Sequence, residues 1–444
     1  MPNLIKPFSA ICIAISLSFN AMANDEQSVE RVTNTIWEQK NPQQYLLDDP
    51  YDVSLFDAKH GEDKERLWSQ TKSIFGYGLG VIGVIALMPE DISNWEKDGN
   101  ALKKWGDNVT NPPVWDRDVA WINLLGHPYF GGVYYQVARK SGYRQWDSFV
   151  YAAMMSTFYW EYGVEAFAER PSIQDLVVTP VLGWVWGEWA FQTEQELRAT
   201  GGKVWGQEWL GSTALFFLDP VDSLGRGINN LFDRQVIRAG TGYLSVNEVP
   251  IGVDGQSETL VRYNMEFLLG DGGINNGQYK SYQYTKVTSD PIDTSIVGIG
   301  LGLGHTNLDD SWQLENAPLL NTSLGLYFSK KYSARLNYSR GHADSQLTGE
   351  EFTYEHYSVS GQRYFNTESD IRPFVTLGFG EEMKDQDRDR KTFVTSFGGG
   401  LYYKLNNNLS VEAEPKRLVS TRYDTLDDVF GLNLIYRFNR GEWF

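Results

Sequence analysis

From Asp293 to Phe438 about eight segments of roughly ten residues alternate apolar with polar or small side chains. That is the pattern of a strand with lipid on one face and a lumen on the other. In Tyr332–Arg340 the residues Tyr332, Ala334, Leu336 and Tyr338 share one face. Ser333, Arg335, Asn337 and Ser339 share the other. The last segment repeats it, with Phe430, Leu432, Leu434, Tyr436 and Phe438 against Gly431, Asn433 and Arg437. Leu336, Tyr338, Leu432 and Leu434 are therefore expected to face lipid. Arg335, Arg372, Glu412, Glu414 and Arg437 are expected to form a polar network in the lumen. The segment 352–365 breaks the alternation, so its faces cannot be assigned from the pattern. Short connections at Lys330-Lys331, Asn366–Asp370 and Asn406–Asn408 alternate with longer ones at 305–319, 341–351, 381–391 and 418–427. This is the asymmetry of periplasmic turns and outer loops.

Upstream the period changes. Residues 71–232 carry helical patterning in 71–88, 118–140, 146–169, 173–198 and 212–232, separated by Pro112-Pro113, Ser141-Gly142, Pro171 and Gly201-Gly202. Ser172 with Asp175 reads as an N-cap and its partner three residues on. Residues 24–70 form a polar lead-in, broken by Asn41-Pro42 and Asp49-Pro50. Strict alternation returns at Leu260–Leu269, and 239–248 and 278–288 are strand-like. Residues 236–290 are therefore expected to hold additional strands. The predicted fold is a mainly helical N-terminal domain followed by an antiparallel transmembrane β-barrel over 294–444. The barrel has eight strands, or ten to twelve if the upstream strands join it.

Residues 1–23 read as a signal peptide, with Lys6, an apolar stretch from Pro7 to Phe19, and Ala21-Met22-Ala23 as the cleavage site. The chain carries a formal charge of −18, and loss of Lys6 makes the expected mature chain −19. That balance argues against nucleic acid as a partner. Cys12, the one cysteine, lies in the signal segment, so neither a disulfide nor a thiolate metal site is expected in the mature chain. The best apolar helix, Ile74–Met88, is shorter than the roughly 20 residues needed to span a bilayer. Trp is frequent, at 15 residues, which suits a protein at membrane interfaces.

Two resemblances follow from these residues. Arg372-Pro373-Phe374-Val375, Gly398-Gly399-Gly400 and Asn406-Asn407-Asn408 make 294–438 resemble the eight-stranded OmpA-like barrels, which implies an interior filled by side chains. Residues 118–190 carry Asn123, His127-Pro128-x-x-Gly131-x-x-Tyr134, Ala138-Arg139, Trp160-Glu161-Tyr162-x-x-Glu165, Pro171-Ser172-x-x-Asp175, Thr179-Pro180, Gly183 and Gly187-Glu188. This set resembles a domain-of-unknown-function family of exported Gram-negative proteins, often placed ahead of a barrel. The resemblance implies an envelope location and no reaction.

The chemistry-bearing candidates are His127, Glu161, Glu165, Ser172 and Asp175. Glu161 and Glu165 share a helix face beside aromatics, where carboxyl pKa values rise. His127 offers a general base or a metal ligand. The packing alternative has Glu161 and Glu165 pairing with Arg139, Arg144 or Arg170, Ser172 and Asp175 capping a helix, and Gly131, Gly132, Gly183 and Gly187 allowing close helix approach. Gly76, Gly78, Gly80 and Gly83 read as packing glycines. No metal or cofactor is expected. A metal needs three ligands, and His127 is the one histidine of five in the helical region, with His305 and His342 in or beside outer loops and His356 in the unassigned strand.

The expected function is an integral outer-membrane protein with a structural role or one in binding lipid or an envelope component. The balance falls against an enzyme. The alternatives are a lipid-directed hydrolase or transferase using His127 with Glu161 or Glu165, and a pore. The partners expected are outer-membrane lipid and another envelope protein. The helical domain is expected on the periplasmic side or within the barrel.

Overall fold

The computed structural model describes residues 50–58, 62–87, 100–115, 125–199, 201–221, 223–224, 242–250, 257–265, 290–384 and 391–438. The signal peptide, most of the lead-in, Asn123 and the strand-like 278–288 lie outside them. The chain divides into two compact units, Met1–Pro291 and Ile292–Phe444.

The first unit holds six α-helices among the described residues: α1 (Lys64–Leu87), α2 (Ala101–Thr110), α3 (His127–Arg139), α4 (Gln145–Met154), α5 (Asp175–Ala199) and α6 (Glu208–Leu218). α1 starts within the expected lead-in, because Asp63 Oδ1 caps it by accepting the Arg66 N–H at 2.9 Å. α2 has no counterpart in the sequence reading. The single helix expected over 146–169 is three pieces. α4 passes into a π-helix, Met155–Val164, and then a 3₁₀ turn, Glu165–Phe167. No described helix is long and apolar enough to cross a membrane.

α3 and α5 make the central contact, and glycine permits it. A Cβ at Gly131 would lie 2.1 Å from the Thr179 carbonyl oxygen, and one at Gly183 would lie 2.7 Å from Gly131 Cα. Farther along, Tyr135 Oη donates to Glu188 Oε2 at 2.6 Å. The two helices thus run in the same direction, and their N-terminal residues, His127 and Asp175, come together. Trp184, Tyr135 and Tyr143 are fully buried in this core. The run in α1 behaves differently from the packing expectation. Only Gly78 is closely approached, by the Tyr159 hydroxyl, while Gly76, Gly80 and Gly83 have open space.

Strands β1 (Gly242–Pro250) and β2 (Ser257–Met265) form a separate antiparallel pair. They do not extend the barrel. The second unit is a closed barrel of β3 (Val297–Asn307), β4 (Pro318–Leu326), β5 (Tyr332–Asp344), β6 (Glu351–Tyr364), β7 (Ile371–Met383), β8 (Lys391–Lys404), β9 (Leu409–Ser420) and β10 (Thr425–Arg437). Each strand pairs with its chain neighbours, and β10 closes on β3 with Tyr436 opposite Ile299. Eight strands suffice, so ten or twelve is corrected to eight. The strands run further than the pattern indicated. β9 and β10 are joined by four residues, 421–424, and His305 and His342 lie within β3 and β5.

The faces alternate as polar lumen and apolar exterior. Leu301, Leu303, Leu377, Phe397, Leu432 and Leu434 are all about half exposed on the outside. Leu336 shares that outward face but is buried. On the unassigned strand, now β6, His356, Ser358, Ser360 and Gln362 are buried on the lumen side.

Side chains fill the lumen. At one end Tyr327, Tyr364, Phe374, Tyr402 and Ile435 cluster. At the other Leu308, Trp312, Leu314, Leu319, Tyr354 and Val429 do. Between them Arg335 donates to both oxygens of Glu412, at 2.6 and 2.5 Å, and to Tyr364 Oη at 2.5 Å. Lys384, fully buried, pairs with Glu382 at 2.8 Å and Asp427 at 3.1 Å, with its ammonium 3.7 Å from the Trp312 ring centroid. The other expected lumen residues take other partners. Arg372 donates to the Ser369 carbonyl, Arg437 to the Ser295 carbonyl, and Glu414 pairs with Lys416 at 3.4 Å.

Candidate functional site

The candidate site lies where α3, the π-helix and α5 meet. His127 opens α3, with Pro128 next to it at a position where the missing N–H is not needed. Glu161 sits in the π-helix, a wider helix in which Glu165 N–H donates five residues back to the Trp160 carbonyl. π-turns change which side chains share a face, and they recur at functional sites. Asp175 begins α5, and its N–H donates to Ser172 Oγ at 3.1 Å. Ser172 thus caps the helix. A short extended contact fixes this entry, with Ile173 N–H donating to the Val114 carbonyl and Val114 N–H to that of Pro171.

The three elements bring His127, Glu161 and Asp175 together, with one donor atom of each within 4.8 Å of the others. His127 Nδ1 is 4.0 Å from Asp175 Oδ1. Glu161 Oε2 accepts the Ser172 N–H at 3.0 Å. Its Oε1 is buried and has no hydrogen-bond partner among the described residues, and the same holds for Glu165 Oε2. Glu161 and Asp175 are buried, while the His127 side chain keeps 12% exposure at the edge. Expecting no ligand set counted histidines, whereas two carboxylates from separate elements complete a three-donor group here.

The electrostatics are one-sided. Burial pushes the Glu161 carboxyl up, the Ser172 N–H opposes this, and Asp175 adds to it. Burial also pushes Glu165 up, reinforced by Glu161 and Glu169. The pairing of Glu161 and Glu165 with arginine is not found. Arg139 instead donates to Glu188 at 2.9 Å and to Asp290 at 2.7 Å. Arg144 meets Asp147 at 3.2 Å and donates to the Asp52 carbonyl at 2.6 Å. Arg170 is exposed.

A second charged group was not foreseen. Lys140 pairs with Glu194 and Asp219, and Arg198 joins Glu194 at 2.7 Å. Glu188 stood within the recognised residue set, but Asp219 and Asp290 carried no local signal, since their partners lie 79 and 151 residues away. In these groups every acid meets a lysine or arginine, and the pairs knit the bundle. The His127 site has the opposite character, a surplus of acid beside one imidazole.

Comparison with known proteins follows this division. No curated protein is a match. Among solved structures, Neisserial surface protein A is 13% identical, with 32% of this chain and 98% of that one covered and a TM-score of 0.29. The N-terminal β-barrel domain of Pseudomonas aeruginosa OprF is 14% identical, covering 31% and 97%, with a TM-score of 0.24. Ail, the attachment invasion locus protein of Yersinia pestis, solved with the heparin analogue sucrose octasulfate, is 16% identical, covering 32% and 97%, with a TM-score of 0.25. Residues 112–221 match the family described as domain of unknown function DUF3943, and residues 289–438 match the outer membrane protein beta-barrel domain. The chain is thus an outer membrane protein in which a DUF3943 domain precedes an eight-stranded β-barrel.

Proposed function

We propose that the barrel is a closed anchor and that the helical domain, on the periplasmic side, binds lipid or another component of the envelope. The observation that carries this reading is the filled lumen, with a hydrophobic cluster at each end and the Arg335–Glu412 and Lys384 ion pairs beside them. A barrel so packed supports a closed anchor over a pore. The helical unit also exposes large aromatics, with Trp205 at 90%, Phe158 at 68% and Trp209 at 64%. Such side chains favour the headgroup boundary.

The test uses full-length protein in vesicles. Planar-bilayer recordings should show no discrete conductance steps, and stable steps would overturn the closed barrel. Brominated lipids should quench part of the tryptophan emission, and the Trp205→Phe/Trp209→Phe double variant should lose that part. Unchanged quenching would remove the lipid contact. A second reading, a lipid-directed hydrolase or transferase, is favoured by the convergence of His127, Glu161 and Asp175. Under it, Glu161→Gln leaves a folded, inserted protein that has lost lipid turnover.

A further inference from the structure

We propose that His127, Glu161 and Asp175 form a binding site for one divalent transition-metal cation of the zinc class, with Glu165 positioning Glu161. The site is distinct from anything the anchor reading requires.

Four observations carry it. The donor set is one imidazole and two carboxylates, which suits first-row transition ions; calcium and magnesium prefer oxygen alone. The donor atoms lie within 4.8 Å of one another, and His127 Nδ1 is 4.0 Å from Asp175 Oδ1. Bonds of about 2.0–2.2 Å to zinc need donors roughly 3.3–4 Å apart, so small side-chain rotations close the site. Glu161 is 1% exposed, and its Oε1 has no hydrogen-bond partner among the described residues while Oε2 is held by Ser172 N–H. A buried carboxylate oxygen left unpaired is costly, and a cation satisfies it. Finally, the partly exposed His127 gives an ion a way in.

The surroundings supply the outer support such sites have. The Ser172 N–H fixes one Glu161 oxygen, and Glu165 lies beside the same carboxyl. Outer partners of this kind orient the ligands of a metal. The acid surplus also becomes intelligible. With an ion in place, the Glu161 and Asp175 carboxylates are ligands of a dication.

The experiment takes full-length protein refolded in detergent micelles, stripped with chelator and titrated with Zn²⁺ by calorimetry and with Co²⁺ by visible absorption. One equivalent should bind, and bound Zn²⁺ should raise the thermal midpoint of the helical signal. His127→Ala and Asp175→Asn should each weaken binding by at least about 100-fold, since losing an outer partner alone costs about 10–100-fold. Glu165→Gln should weaken it within that smaller range. His342→Ala, a change at an exposed barrel histidine, should leave it intact. X-ray absorption of the zinc-loaded wild type needs no variant and should show one imidazole with oxygen neighbours. No saturable binding would overturn the proposal. So would undiminished affinity in His127→Ala, loss in His342→Ala, or a shell without imidazole.

Discussion

Arg335 and Glu412 show at the residue scale how the barrel stays closed. Both are almost fully buried and meet through two hydrogen bonds. Removing one partner leaves a buried charge alone, which costs about 3–5 kcal/mol, while replacing both with apolar groups of similar size costs far less. Glu412→Gln should therefore unfold at markedly lower urea in vesicles, and the Arg335→Met/Glu412→Leu pair should recover most of that loss. Equal losses would mean that the pair itself, rather than the orphaned charge, sets stability. In the helical unit Glu194 is held below its ordinary value: burial alone would raise it, but Lys140 and then Arg198 outweigh that. A depressed carboxyl stabilises the folded state above its unfolded value, near 4.5, and loses that contribution as pH falls through the lower folded value. Glu194→Gln should be clearly less stable than wild type at pH 7, and the gap should narrow steadily below pH 4.5. A gap independent of pH would sink the ionic account.

Among the elements, α3 and α5 depend on glycine. A side chain at Gly183 would meet the Gly131 carbonyl carbon at 2.6 Å, where no flexible atom can yield. Gly183→Ala should cost at least about 1–3 kcal/mol and separate the N-terminal ends that carry His127 and Asp175. Helical circular dichroism should soften while the barrel keeps its heat-modifiable mobility. The same elements show what the chain discloses by itself. A two-residue period is a local signal, so β5 and β10 could be placed by face from their own residues. In β6, lipid-side Tyr357 is buried and lumen-side His356 is polar but aromatic, so the alternation is hidden there. The π-helix defeats a reading based on 3.6 residues per turn. Glu161 and Glu165 were expected on one face, and they do act on each other electrostatically, but Glu161 also reaches the start of α5. The meeting of His127 with Asp175, 48 positions apart, rests on parallel helices that local patterning cannot announce. The glycines that permit it were visible, and their packing role is what the structure gives them.

For the whole molecule, insertion depends on the outer face of the barrel more than on any one contact inside it. Leu432 and Leu434 point outward on β10, 51% and 46% exposed, and β10 is the strand that closes on β3. Leu434 lies opposite Leu301 on β3 and Val411 on β9, so a charge there falls within the apolar band, one lipid-facing position in from the tyrosine at 436 that marks its rim. A lipid-facing arginine near the midplane costs about 2–4 kcal/mol, falling toward zero near the interfaces. Leu434→Arg should therefore lower the stability of the vesicle-inserted barrel by that amount and slow its heat-modifiable folding. Arg417 and Asp428 provide the comparison. They pair at 2.7 Å on exposed positions toward the other end of β9 and β10, where charge meets headgroups and water. Asp428→Arg should disturb insertion much less than Leu434→Arg, even though it sets two arginines side by side. If both substitutions cost the same, the apolar band would not lie where the alternation of β10 puts it, and the register of the barrel in the membrane would have to shift along the strands.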